Sequence, residues 1–191
     1  MAPMDIILSS ALLVALAEIG DKTMLLAIVL AGRFRKPAPI IAGIFTATIV
    51  NHALAALAGS AVAGLLGGFW FRLAVALGFF AMAAWILVPD TVDDDDAQPS
   101  KYGAFLTTTV AFFAAEMGDK TQVATIALGA QYHDVWRVAT GTTLGMMAAN
   151  VPAVFLGERA TTVVPMRTVR MGAAAVFVGI GALGLWDLFY R

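Results

Sequence analysis

Ala17–Thr23 reads AEIGDKT, and 98 residues further on Ala115–Thr121 reads AEMGDKT. Each copy sits near the middle of a long apolar run, Ile6 to Leu30 for the first and Tyr102 to Leu128 for the second. The same offset pairs Leu8 with Leu106, Ile28 with Ile126, Leu30 with Leu128, Gly43 with Gly141 and Arg72 with Arg170. Ser9-Ser10 falls on Thr107-Thr108, which keeps the hydroxyls. Chance is a poor explanation for a charged heptad repeated in two apolar segments. The chain is doubled.

The 191 residues are 60% hydrophobic and 13% charged, with a mean hydropathy of +0.85. A soluble domain is closer to about half apolar and about a quarter charged, so the composition is that of a membrane protein. The formal charge of −1 offers no basic surface for nucleic acid. With no cysteine there are no disulfides, thiolate metal sites or cysteine nucleophiles. His52 and His133 are too few for a histidine-rich metal site.

A bilayer core needs roughly 20 apolar residues of helix. Six runs approach or exceed that: Ile6 to Leu30, Pro39 to Leu66, Trp70 to Val88, Tyr102 to Leu128, Val138 to Leu156 and Met171 to Phe189. They are continuous, without the alternation of membrane β-strands. The expected fold is therefore an all-α membrane protein of six transmembrane helices. Trp70, Trp85, Trp136 and Trp186 fall near span ends, where indoles favour the headgroup level.

Three spans cross the bilayer an odd number of times, so a second copy enters from the opposite side. The halves, residues 1–88 and 102–191, are thus expected to be inverted-topology three-helix repeats joined by an acidic linker, 89–101. This arrangement is typical of secondary transporters. The loops after spans one, three and five hold Arg33, Arg35, Lys36, Lys101, Arg159, Arg167 and Arg170, against Arg72, Arg137 and Arg191 opposite. That asymmetry places the odd loops, including Asp93 to Asp96, in the cytoplasm and both termini outside it. The first run has Asp5 where a signal peptide carries basic residues, and it reads as a permanent span.

Glu18, Asp21, Lys22, Glu116, Asp119 and Lys120 all lie at membrane depth. Each costs roughly 2.5–3.5 kcal/mol at a helix centre on insertion scales, on the order of 15–20 kcal/mol together if uncompensated. At i, i+3 Glu18 and Asp21 share a helix face, as do Glu116 and Asp119. At i, i+4 Lys22 meets Glu18 and Lys120 meets Glu116, giving internal ion pairs. Gly20 and Gly118 allow the helix to unwind between the carboxylates. Four carboxylates converging at the midplane form an oxygen-rich cage suited to Ca²⁺ or Mn²⁺. A stabilising buried ion-pair network is the plain structural alternative.

Other polar residues carry weaker signals. Gln122, Asn51 and Asn150 are candidates for further ligands or for bracing the bundle, Asn51 and Asn150 standing 99 residues apart. Thr23 and Thr121 are expected to bond backbone carbonyls of their own helices, with a metal contact as the second choice. His52 is the only imidazole within a span and is read as having no counterpart in the second half, so a buried packing role stands against a proton relay. Met24 and Met117 adjoin the motifs, and a thioether reaching the metal would favour Mn²⁺. Asp93 to Asp96 read as a solvated linker, with cation sensing as the alternative.

The two motifs, EIGDKT and EMGDKT, resemble the paired Glu-x-Gly-Asp-Lys/Arg-Thr/Ser signature of a family of cation/proton antiporters. That family includes small bacterial manganese exporters and Golgi Ca²⁺/Mn²⁺ exchangers. No signature position departs from the pattern, and the resemblance spans all six runs. It implies metal coordination by Glu18, Asp21, Glu116 and Asp119, with metal export driven by proton entry. On electrostatic grounds, Lys22 and Lys120 are expected to offset part of the charge of the four carboxylates. The chain lacks the N-terminal segments common in eukaryotic members, which fits a bacterial inner-membrane form. The expectation is a transporter without cofactor or covalent chemistry, whose partners are divalent metal ions and the lipid bilayer. A homo-oligomer is compatible with the sequence. A passive divalent-cation channel and a membrane scaffold protein are the rival readings.

Overall fold

The computed structural model describes residues 3–66, 68–88, 103–157 and 166–190. Eight helices are present among them: α1 (Pro3–Glu18), α2 (Lys22–Phe34), α3 (Pro37–Leu66), α4 (Phe69–Trp85), α5 (Ala104–Glu116), α6 (Lys120–Tyr132), α7 (Val135–Leu156) and α8 (Met166–Tyr190). There are no strands among the described residues. Among the described residues, three helices are long and apolar enough to cross a membrane: α3, α7 and Arg167–Tyr190 of α8.

The first and fourth apolar runs are not continuous helices. Each breaks at its motif, at Ile19 to Asp21 and at Met117 to Asp119, leaving two half-helices on either side. The cause is local. Gly20 and Gly118 have φ of 81° and 79°, a left-handed conformation natural to glycine. Asp21 and Asp119 then start the next half-helix as N-caps in extended conformation. Asp119 caps through its side chain, accepting from the Lys120 amide at 2.6 Å.

The halves repeat each other down to their turns. Among the described residues, the two non-glycine residues with positive φ are Arg35 (51°) and His133 (53°), 98 positions apart. Each ends a half-helix, with its amide bonded to Ala31 O and Gly129 O respectively, and so folds α3 and α7 back.

Packing interlocks the halves. α1 lies along α7 and α5 along α3, so each broken run rests on the long helix of the other half. Glycine allows the close approach. A Cβ at Gly43 would stand 2.8 Å from Phe105 O and from Thr108 Cβ, and one at Gly141 would stand 2.5 Å from Ile7 O and 2.8 Å from Ser10 Cβ. Both the glycines and their contacts are related by the offset of 98. Phe79 of α4 and Phe177 of α8, also 98 apart, pack together with ring centroids 6.3 Å apart. Two equivalent residues in mutual contact lie where the halves meet.

Polarity is arranged inside out relative to a soluble protein. Leu65, Trp70, Trp136, Leu183 and Trp186 are exposed, whereas Glu18, Asn51, His52, Glu116, Lys120 and Asn150 are buried. An apolar exterior around polar groups suits a hydrocarbon solvent.

Candidate metal centre

The helix breaks put the carboxylates at facing half-helix ends. Glu18 and Glu116 close α1 and α5, and Asp21 and Asp119 open α2 and α6. Glu and Asp of one motif therefore do not share a single helix face, because the turn at Gly20 or Gly118 separates them. In each turn the aspartate amide bonds back to the glutamate carbonyl, at 3.0 Å in the first and 3.1 Å in the second. Negative side chains at the openings of α2 and α6 also complement the positive end of a helix dipole.

Both glutamates have zero exposure, and Asp21 and Asp119 are 4% and 5% exposed. Glu18 stands in the electrostatic field of Glu116 and Asp119, carboxylates of the other motif. All four expected ligands are thus buried at the helix breaks. Among the described residues, no group of three or more acidic or histidine side chains is gathered closely enough to hold a metal ion.

The threonines serve the glutamates directly. Thr23 Oγ1 donates to Glu18 Oε2, and Thr121 Oγ1 donates to Glu116 Oε2 at 3.1 Å. Thr121 also interacts with Glu18. The expected bonds to the threonines' own helix carbonyls are replaced because the break brings the next half-helix under the carboxylate. Glu18 Oε1 and Glu116 Oε1 remain buried without a hydrogen-bond partner.

The lysines are not the i, i+4 partners of their own glutamates. Lys22 Nζ lies 3.5 Å from Asp119 Oδ2 of the other motif, and Lys120 Nζ donates to Val88 O at 2.8 Å. Losing one turn of helix changes the angle between positions 18 and 22, which directs Lys22 across the interface.

Gln122 Oε1 accepts from the Gly118 amide at 2.7 Å, and its equivalent Met24 accepts from the Gly20 amide through Sδ at 3.5 Å. Both side chains brace the glycine turn. Met117 is exposed. Asn51 Nδ2 donates to Phe113 O at 3.2 Å, tying α3 to α5. Asn150 is at the site: Nδ2 lies 3.4 Å from Glu18 Oε2 and 3.1 Å from Met146 O.

His52 also belongs here, with Nε2 3.7 Å from Glu116 Oε2 and no exposed surface. Its counterpart is Asn150, at the repeat offset of 98. Matching like residue types pairs Asn150 with Asn51, 99 positions away, whereas the repeat offset of 98 is the signal that finds His52. The linker 89–101, including Asp93 to Asp96, lies outside the described residues.

An apolar helical bundle with broken helices and buried acidic groups at the breaks defines the class of membrane ion transporters. The sequence model of the divalent cation/proton antiporter GDT1 matches the chain twice, over residues 6–94 and 104–191. The protein belongs to this GDT1 family, and it is a transporter and not an enzyme. It is 48% identical over 177 residues to a Vibrio cholerae protein named "Putative manganese exporter", covering 92% of this chain and 88% of that one. It is 27% identical to GDT1-like protein sll0615 of Synechocystis, over 92% of this chain and 94% of the relative. GDT1-like protein 5 of Arabidopsis thaliana is likewise 27% identical, over 89% and 90% of the two chains. No solved structure matches.

Proposed function

We propose that the protein exports Mn²⁺, Ca²⁺ or both from the cytoplasm in exchange for protons, by alternating access at Glu18, Asp21, Glu116 and Asp119. The observation that carries this reading is the pair of fully buried glutamates, each at a helix break and each with an unpartnered Oε1. An unsatisfied buried carboxylate is costly unless a proton or a cation meets it. Divalent metal and protons would then occupy the same carboxylates by turns.

The same proposal includes the membrane arrangement: two inverted three-span halves, 1–88 and 102–191, in a bacterial inner membrane with both termini outside the cytoplasm. Reciprocal packing of α1 on α7 and α5 on α3 supports it, since rocking one half against the other would open the breaks to each side in turn. The half-helices α1 with α2, and α5 with α6, would each make up one span.

Proteoliposomes with Mn²⁺ and Ca²⁺ in competition and an imposed pH gradient test the function. The gradient should drive metal uphill, and Glu18→Gln, Asp21→Asn, Glu116→Gln and Asp119→Asn should each reduce transport severely. Metal that only runs downhill would identify a channel. Normal transport by both Glu18→Gln and Asp119→Asn would overturn the site.

A further inference from the structure

His52 and Asn150 occupy equivalent places in the two halves and differ in chemistry. Asn150 on α7 faces Glu18 of the first half, and His52 on α3 faces Glu116 of the second. Both are completely buried. Neither ring nitrogen of His52 has a hydrogen-bond partner, and Asn150 Oδ1 has none either. Thr48, one turn before His52, is also buried with its hydroxyl unpartnered. A histidine serving only to pack the core would have its ring nitrogens satisfied, because a buried polar atom without a partner costs free energy. This imidazole is aimed at a carboxylate and satisfied by nothing.

We infer that His52 is a metal-binding residue whose imidazole nitrogen makes the site select Mn²⁺ over Ca²⁺, an inference that rests on the transport site proposed above. Two ligands each about 2.2 Å from one divalent ion stand roughly 3.1 Å apart at a right angle and roughly 4.4 Å apart when opposed. The 3.7 Å between His52 Nε2 and Glu116 Oε2 falls within that span, the separation of two atoms that share one ion. The other half, Glu18 with Asn150 Oδ1, offers oxygen alone. Ca²⁺ takes oxygen ligands, whereas a first-row transition ion accepts nitrogen as well. A single nitrogen among carboxylate and amide oxygens keeps the set hard enough for Mn²⁺ while giving Ca²⁺ one ligand fewer.

Pulsed electron paramagnetic resonance of Mn²⁺ bound to the purified full chain tests the nitrogen directly. The wild-type protein should show a ¹⁴N coupling of an imidazole ligand, and His52→Asn, which copies the oxygen-donating half, should lose it. In competition binding, His52→Asn and His52→Gln should lower the Mn²⁺ to Ca²⁺ affinity ratio about tenfold or more, with Ca²⁺ affinity kept or raised. Bound Mn²⁺ without ¹⁴N coupling in the wild type overturns the inference, and that spectrum needs no variant to fold. An unchanged affinity ratio in both variants overturns it too. Glu18→Gln separates the two readings. If it binds both metals normally, the transport site is wrong whatever His52 does; if it loses both while the His52 variants keep their ratio, only the role of His52 fails.

Discussion

Lys22 and Asp119 belong to different motifs, and their charged groups meet 3.5 Å apart across the boundary between the halves. In an unbroken helix Lys22 would have faced Glu18, four residues back. The break at Gly20 removes that contact and gives the second motif a cation from the first. In the second motif, Lys120 Nζ donates to Val88 O at 2.8 Å.

Lys22→Gln should lower stability by about 1–2 kcal/mol, between the small worth of an exposed pair and the larger loss on breaking a buried one, because Lys22 is 24% exposed and Asp119 5%. Thermal unfolding in detergent reads this as a drop of roughly 2–4 °C per kcal/mol. An unchanged midpoint would mean that the pair does not hold the halves together.

Thr23→Val and Thr121→Val keep the side-chain shape and remove the donor to a buried carboxylate. Each should cost about 1.5–3 kcal/mol, the range for a hydrogen bond to a charged group. Thr→Ser at the same positions should restore most of the loss. Equal midpoints for the valine and serine variants would remove the hydroxyl from the account.

Gly141→Ala and Gly43→Ala should each destabilise by about 1–3 kcal/mol, because the new methyl meets Ile7 O in one case and Phe105 O in the other. Gly179→Ala on α8 has nothing within 4 Å and should be neutral or stabilising by up to about 1 kcal/mol. Similar midpoints for all three variants would contradict the close crossing of the halves.

Orientation is checked with a single cysteine introduced between Asp93 and Asp96, possible because the chain has none of its own. In intact cells it should resist a membrane-impermeant thiol reagent, and permeabilised cells should label it. Rapid labelling of intact cells would reverse the orientation and leave the repeat untouched.

The sequence by itself determined what depends on local chemistry. Apolar runs require helices in a membrane, and a charged heptad repeated at an offset of 98 marks a doubled chain with buried acidic groups. It also supplied Gly20 and Gly118, the points at which a helix is able to break. Only the tertiary structure decided which groups meet across the halves. Glu18 is bonded by Thr23 below the break, Lys22 pairs with Asp119, and His52 faces Glu116, a residue 64 positions away. The helical spacing rule failed at the motifs because it holds only while the helix continues. Once the chain turns at a left-handed glycine, the direction of the next side chain is set by how the following half-helix packs against the other repeat. That packing depends on surfaces far apart along the chain.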